Sequence, residues 1–498
     1  MNAKPGILLA ASLMGAVIAS AQTVPERAVI ADTLYSSGLT LTNPALISQR
    51  QTVSLSKVKA GFERRHLDEA AVNCDGKGYG FGFFDAATYM KLGKATITGN
   101  ASYSNGTRFG ISLCEVSDPS VVYPYFTADE TGGNLRSESY VFGGSYSSSF
   151  HGGDWLYGAA LNYRATQEYR QRDPRPKNTV GKLDLGAGIG RKFGNNIVAL
   201  AGDAYRYTQT SSIMFVSEVG EVKIYHLTGL GNNYHRFAGM GRNAGYSGWS
   251  RGAMLSLWPT ESGVYASARY ARFSFDKILK DINNLPVSSA AENTFQASAG
   301  WKASNFRVGA DVEYKYRRGD ENIFGDPAGN VYPELFSIES FKMKDFAGAV
   351  TALWRRVSAR QRFDIVASVR YFRKKETYEA MTPHRQLIVE NVTSAVNVQW
   401  VRTLSVCWQI SLDGTFKDRI PVSSSLEGIE GEDNLFTDGI RHDFRFMSGH
   451  CLETGLKAGA DYAVTKSYSI GLSLAGSYIS YRDDNHGYHL TAAAVFTF

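Results

Sequence analysis

The sequence predicts an all-β fold: a transmembrane, antiparallel outer-membrane β-barrel of about 18 strands, with 14–18 strands compatible with the pattern. Three observations carry that expectation. From residue 51 onward, segments of roughly ten or more residues alternate apolar and polar side chains; the connections between them alternate short and long; and the chain ends on an alternating run whose last residue is Phe498.

The composition fits such a fold and excludes others. With 27 Phe, 28 Tyr and 7 Trp among 498 residues, the chain is too aromatic to be disordered. It has 50 Gly and 13 Pro with no proline-rich or charged linker, so one large β architecture fits better than several small domains. Beyond residue 21 no apolar run approaches the roughly 20 residues of a membrane-spanning helix. Lys and Arg number 53 against 47 Asp and Glu, spread along the chain rather than clustered, so nucleic acid is not an expected partner.

Taken in order, residues 1–21 read as an export signal: Lys4, an apolar stretch over 7–18, and Ala19-Ser20-Ala21 as the small-x-small cleavage site, cut after Ala21. Residues 22–50 form a short periplasmic or lumen segment, and 51–498 the barrel. The alternation is most regular in 305–317, where Phe306, Val308, Ala310, Val312, Tyr314 and Tyr316 share one face while Arg307, Asp311, Glu313, Lys315 and Arg317 share the other. No helix accommodates that period. It is also clear at 94–104, 153–166, 181–193, 292–302, 361–374, 404–417, 451–464 and 467–481. A weaker form appears at 51–65, 77–92, 137–150, 195–209, 247–258, 261–275, 339–356, 386–402 and 486–498. In 467–481 the apolar face begins and ends in Tyr468 and Tyr478, as expected of aromatic girdles at two membrane interfaces.

Short turns near residues 93, 152, 195, 260, 303, 358, 403 and 465 would face the periplasm, as would both termini. Longer connections at 66–77, 116–136, 168–179, 210–246, 276–291, 318–338, 375–385, 418–450 and 482–487 would face outward. A secreted β-sandwich or propeller is the competing reading, disfavoured because sandwich strands average about 5–6 residues.

The triplet Asn43-Pro44-Ala45 just before the first strand resembles the N-terminal hatch motif of the long-chain fatty-acid transporter family. Those barrels have about 14 strands, fewer than expected here. Over nearly its full length the chain looks more like an uncharacterised outer-membrane barrel family known only as a domain of unknown function. The alternating C-terminal run ending in Phe498 is similar to the strand signal read by the barrel-assembly machinery. The resemblance implies a bacterial outer-membrane location, with outer-membrane lipid and that machinery as partners. It implies no activity.

Inward positions of the predicted strands carry Arg164, Lys182, Asp184, Arg307, Asp311, Glu313, Lys315, Arg317, Asp364, Arg370, Asp413, Glu453, Lys457 and Asp461. Such charges either line a water-filled channel or pair across a filled lumen. The leading expectation is a channel or uptake porin for a small solute, gated by an inward-folded loop 210–246, with residues 22–50 as a hatch fixed by Asn43, Pro44 and Ala45. The alternative is a structural or interaction barrel with a filled lumen that partners a TonB-dependent receptor, a secretion complex or another outer-membrane protein. Catalytic motifs such as G-x-S-x-G and H-E-x-x-H are missing, so neither an enzyme nor a cofactor is expected, although a hydrolase could assemble its residues from separate strands. Carboxylates in 418–450 lack EF-hand spacing, so no metal site is assigned. Among the four cysteines, Cys74 and Cys114 both fall near the outer rim and are the expected disulfide pair, with four free thiols as the alternative.

Overall fold

A computed structural model describes residues 38–216, 222–329, 331–482 and 484–498. The predicted export signal and most of residues 22–50 lie outside the described residues.

Eighteen strands close into a single antiparallel barrel. In chain order they are β1 (Leu55–Leu67), β2 (Gly78–Leu92), β3 (Ala95–Ile111), β4 (Gly133–Phe150), β5 (Trp155–Tyr169), β6 (Arg175–Phe193), β7 (Asn196–Met214), β8 (Asn243–Pro259) and β9 (Gly263–Leu279). The second half comprises β10 (Leu285–Lys302), β11 (Phe306–Phe324), β12 (Glu334–Val357), β13 (Gln361–Tyr378), β14 (Arg385–Thr403), β15 (Trp408–Glu427), β16 (Cys451–Ala463), β17 (Ser469–Tyr481) and β18 (His486–Thr497). Each strand pairs with its sequence neighbours, and β1 closes the ring on β18 with Lys57 opposite Thr497 and Leu67 opposite Gly487.

Closure explains why the surface is inside-out relative to a soluble protein. Leu200, Leu255, Val350, Leu412, Leu456, Leu472 and Leu474 are exposed on the outer wall. Toward the periplasmic ends the wall carries Trp301, Phe306, Trp354, Trp408 and Tyr462, and toward the outer ends Tyr140, Tyr163, Trp249, Tyr270, Tyr314 and Tyr478. A sandwich or propeller would bury these faces; here they meet lipid, with aromatic belts at the two interfaces.

One expectation about the connections needs correcting. Several predicted outer loops are largely strand: the connection expected over 276–291 shrinks to residues 280–284, and that over 168–179 to residues 170–174. The strands run on beyond the lipid, where neither face meets hydrocarbon and the apolar alternation that marks a membrane strand fades. For the same reason the loop expected over 210–246 spans residues 215–242, because β7 and β8 extend into it.

Candidate functional site

The barrel wall is wide enough to leave a lumen, and the chain fills it from both ends unequally. From outside, residues 112–132 and 222–242 fold inward and share a small antiparallel sheet in which Thr127 pairs with His226. Val116, Val122, Tyr125, Phe126 and Phe237 from these loops pack against inward-facing Tyr207, Tyr246, Phe273 and Phe275 of the wall. Of the aromatic residues in this loop Phe237 is buried inside the mouth, while Tyr225 and Tyr234 are half-buried. His226 is enclosed, and burial followed by the nearby Lys277 lowers its pKa to about 3, so the neutral ring donates from Nε2 to the Met240 carbonyl at 2.9 Å.

A charged knot holds this filling. Arg170 Nη2 lies 2.6 Å from Asp129 and 3.4 Å from Glu115, all three nearly inaccessible to water. Burial, and then the charge of Asp129, pushes the Glu115 carboxyl well above the ordinary range. Asp129 stays below its ordinary value: burial opposes this, but hydrogen bonds from Glu115 and Arg170 outweigh it. The geometry is that of a protonated acid, a carboxylate and one guanidinium, which leaves no net buried charge.

The third outer element is helix α1 (Leu435–Met447), started by Asn434, whose side chain accepts from the Phe436 and Thr437 amides. Several carboxylates of the acidic tract 418–450 enter ion pairs. Arg441 meets Asp433 and Asp438, Arg385 meets Glu432, and His442 bridges Asp443 and Glu69, each at 3.1 Å.

From the periplasmic side enters the segment from Gly38 to Arg50, in two 3-10 turns, Leu39–Thr42 and Pro44–Gln49. Asn43 joins them: its Oδ1 accepts the Ala45 amide at 3.0 Å and its amide reaches Ser256 at 3.4 Å. Leu41, Ala45 and Leu46 pack on Leu156, Ile197, Ala199, Trp258 and Tyr265 of the wall. Tyr89 donates to the Ile47 carbonyl at 3.0 Å. The wall makes room with glycine: a Cβ at Gly158 would sit 2.1 Å from the Pro44 carbonyl oxygen, and one at Gly188 would sit 2.6 Å from Asn43 Oδ1.

Beside this segment the wall of β1–β3 and β13–β16 borders a cavity of about 770 Å³. Its lining includes Arg50, Lys57, Lys59, Asp85, Arg362, Asp413, Lys457 and Asp461. Among the described residues no ion pair involves Lys57, Lys59, Lys457, Asp85 or Asp461, so these charges face the cavity. Asp413 accepts from Asn397 at 2.6 Å.

The other predicted lumen residues divide by height. Toward the mouth, Arg164 pairs with Asp118 of the inward loop, Lys182 with Asp184 at 3.1 Å, and Glu453 with Lys417 at 3.6 Å. Arg317 binds Glu292 at 2.8 Å and the carbonyls of Ser120, Val121 and Tyr123. Glu313 pairs with Lys315 at 2.9 Å. Asp364, near the periplasmic end, is clamped by Arg355 at 2.7 Å and Arg362 at 3.1 Å. Arg307 stacks 4.5 Å over the Tyr265 ring, and Asp311 and Arg370 border a small cavity beside Leu39.

Sequence reading missed Lys57, Lys59 and Asp85, the cations and acid that face the large cavity, and the whole Arg170–Glu115–Asp129 knot. Lys57 and Lys59 sit two apart in the weakly alternating 51–65 run, so their shared inward face was available as a signal; the knot joins loop residues and has none. Cys74 and Cys114 are both free thiols, and the neighbouring Cys114 thiol followed by burial pushes the Cys74 thiol well up. Cys407 and Cys451 stand at opposite ends of β16, since the Cys407 carbonyl accepts from Ala463 while Cys451 pairs with Arg419.

The model of the Family of unknown function (DUF6850) matches residues 44–498, and the chain belongs to that family. No curated protein matches. Among solved structures, the ferric preacinetobactin receptor BauA from Acinetobacter baumannii is 11% identical, with 89% of this chain and 80% of that chain covered and a TM-score of 0.39. The ferric-catecholate import receptor Fiu from E. coli K12 is 7% identical, with 89% and 82% covered and a TM-score of 0.41.

Proposed function

We propose that this member of an outer-membrane barrel family without an established function is a closed-state uptake barrel for a small, polar, charged solute. The supporting observation is the asymmetry of the lumen. Its outer half is packed with inward loops and compensated charges, whereas its periplasmic half keeps a cavity of about 770 Å³ whose lysines and aspartates face open space. A packed barrel interior conducts nothing, so passage requires the loop residues 112–132 and 222–242 to lift as a gate. The segment 38–50 then acts as a hatch that narrows the exit, held by Asn43, Pro44 and Ala45.

The test is planar-bilayer recording of the purified mature protein with and without residues 215–242. The full-length chain should be nearly silent and the deletion should carry steady current. Replacing Lys57, Lys59 and Lys457 by Glu in the deletion background should then shift selectivity toward cations. Silence of the deletion would remove the gated-uptake reading.

A second reading has its own support in the pairing of outer lumen charges and the Arg170 knot. A filled, rigid barrel of that kind suits an interaction partner of a TonB-dependent receptor or secretion complex.

A further inference from the structure

The lipid-facing wall carries cations that the chain itself does not neutralise. On β8 and β9 Arg251 stands directly opposite Arg272, and on β12 and β13 Lys344 stands directly opposite Lys375. Like charges paired across a ladder repel. All four lie on the outer face: Arg251 alternates in step with the exposed Leu255 and Trp249, Arg272 with Tyr270, Lys344 with Val350, and Lys375 with Val369. Among the described residues no carboxylate pairs with any of the four. Asp276, the next outward acid on β9, is four residues beyond Arg272, roughly 13 Å along the strand, and Glu390 is held by Arg373 at 3.1 Å. A third outward pair, Arg318 opposite Lys342, shows what the other two lack: Glu339 lies 3.7 Å from the first and 3.3 Å from the second. Elsewhere on the wall outward cations face neutral residues, Arg64 opposite Leu490, Arg136 opposite Tyr169 and Lys177 opposite Ser212.

The two pairs without a counter-charge belong to one row of register. Arg251, Arg272, Asn293, Tyr316, Lys344 and Lys375 follow one another across β8 to β13. Neighbouring strands are about 4.8 Å apart, so Arg272 and Lys344 stand roughly 14 Å apart along the row. Between them the Asn293 carbonyl oxygen accepts from Tyr270 at 2.7 Å, which leaves its amide N–H groups to donate. Arg251 and Arg272 lie eight and nine residues from the periplasmic ends of their strands at Pro259 and Gly263. That is roughly 19–24 Å at about 3.3 Å per residue and a 35–45° tilt, near the top of an apolar band about 25 Å tall. The row leans with the strands, so Lys344 and Lys375, thirteen and fourteen residues from their own periplasmic ends, stand about 10 Å higher, in the headgroup layer. Arg206 of β7 adds a further cation beside the lower pair, 5.0 Å over the Trp249 ring.

We propose that this row binds a lipid of the outer leaflet whose sugar headgroup carries at least two phosphates, one seated between Arg251 and Arg272 and another between Lys344 and Lys375. A phosphate accepts parallel N–H bonds from a guanidinium and meets an ammonium as a point charge, so an anion between each pair turns a repulsion into two attractions. Asn293 and Tyr316 supply neutral hydrogen-bonding groups for the sugar that joins the phosphates. The height of the lower pair selects a lipid over a soluble anion: below the row the wall presents Leu255, Val264 and Phe295, exposed apolar side chains on which acyl chains lie. The proposal goes beyond the uptake reading and does not depend on it.

The probe is bisphosphoryl lipid A, added to the purified full-length barrel in dodecyl maltoside and followed by native mass spectrometry. Saturable retention is expected, and the dephosphorylated lipid should bind about tenfold more weakly as the charge-assisted bonds are lost. Arg251→Gln with Arg272→Gln, and Lys344→Gln with Lys375→Gln, should each weaken retention about tenfold, whereas Arg64→Gln should leave it unchanged. Each double variant removes a repulsion, so without lipid both should melt no lower than wild type, and added lipid A should raise the wild-type melting temperature more than theirs. Retention equal to wild type in either double variant, equal binding of the dephosphorylated lipid, or displacement by millimolar inorganic phosphate would overturn the proposal.

Discussion

The tightest contact between the 38–50 segment and the wall gives the sharpest prediction. Gly158→Ala places a methyl 2.1 Å from the Pro44 carbonyl oxygen and 2.5 Å from its carbonyl carbon. An ordinary contact begins near 3.4 Å, so the segment must retreat by more than 1 Å or the strand must bend. Gly158 sits inside β5, paired on both sides to β4 and β6, so the segment is the side that gives. Overpacking of this kind costs about 1–3 kcal/mol. A retreat of that size also strains the Asn43–Ser256 and Tyr89–Ile47 hydrogen bonds. The assay is a double-mutant cycle: thermal melting of the refolded barrel and limited proteolysis near Arg50, with and without residues 25–45. In the intact chain Gly158→Ala should lower stability by about 1–3 kcal/mol and speed cleavage at Arg50. In the deletion its cost should vanish, because the atom it strikes is gone. An equal cost in both backgrounds would refute the steric argument, and with it the seating of Pro44 against β5.

Three further outcomes are expected. Arg170→Ala leaves Asp129 and Glu115 buried without their cation, so it should cost about 3–5 kcal/mol and open residues 112–132 to protease; unchanged protection would contradict the knot. The hydrogen bond to Asp443, aided by Glu69, raises the His442 pKa above 6.5. A raised histidine contributes fully below its unfolded value and loses that contribution as pH rises through its folded one. The melting advantage of wild type over His442→Gln, no more than about 1 kcal/mol for a partly exposed pair, should therefore be present at pH 5.5 and absent at pH 9. Finally, we propose that Cys74 and Cys114 become a disulfide on export, their two thiols giving two electrons and two protons to a donor disulfide that is reduced to thiols. Thiol counting of cell-derived protein should find two reactive cysteines, Cys407 and Cys451; four would refute the link.

Much of the architecture was legible in the residues. The side-chain period of a strand is two, so Phe306, Val308 and Val312 could only face opposite to Arg307, Asp311 and Glu313, and 18 such runs with alternating connections define a closed ring. The Asn43 cap on the Pro44–Gln49 turn came from the structure, since the residues mark Asn43-Pro44-Ala45 only by resemblance to a hatch. Which lumen groups meet was not legible either. Arg164 finds Asp118, Arg317 finds the carbonyls of residues 120–123, and Thr40 finds Ser267 across 227 residues of chain. Those encounters depend on how far residues 112–132 and 222–242 fold back, a matter of packing volume inside the ring. The wall could be read from the residues, because lipid imposes one local pattern on every strand that crosses it. That the outer half is filled and a charged periplasmic cavity remains emerged only from the folded chain, because a lumen accepts polar side chains whether they meet water, each other or a folded-in loop.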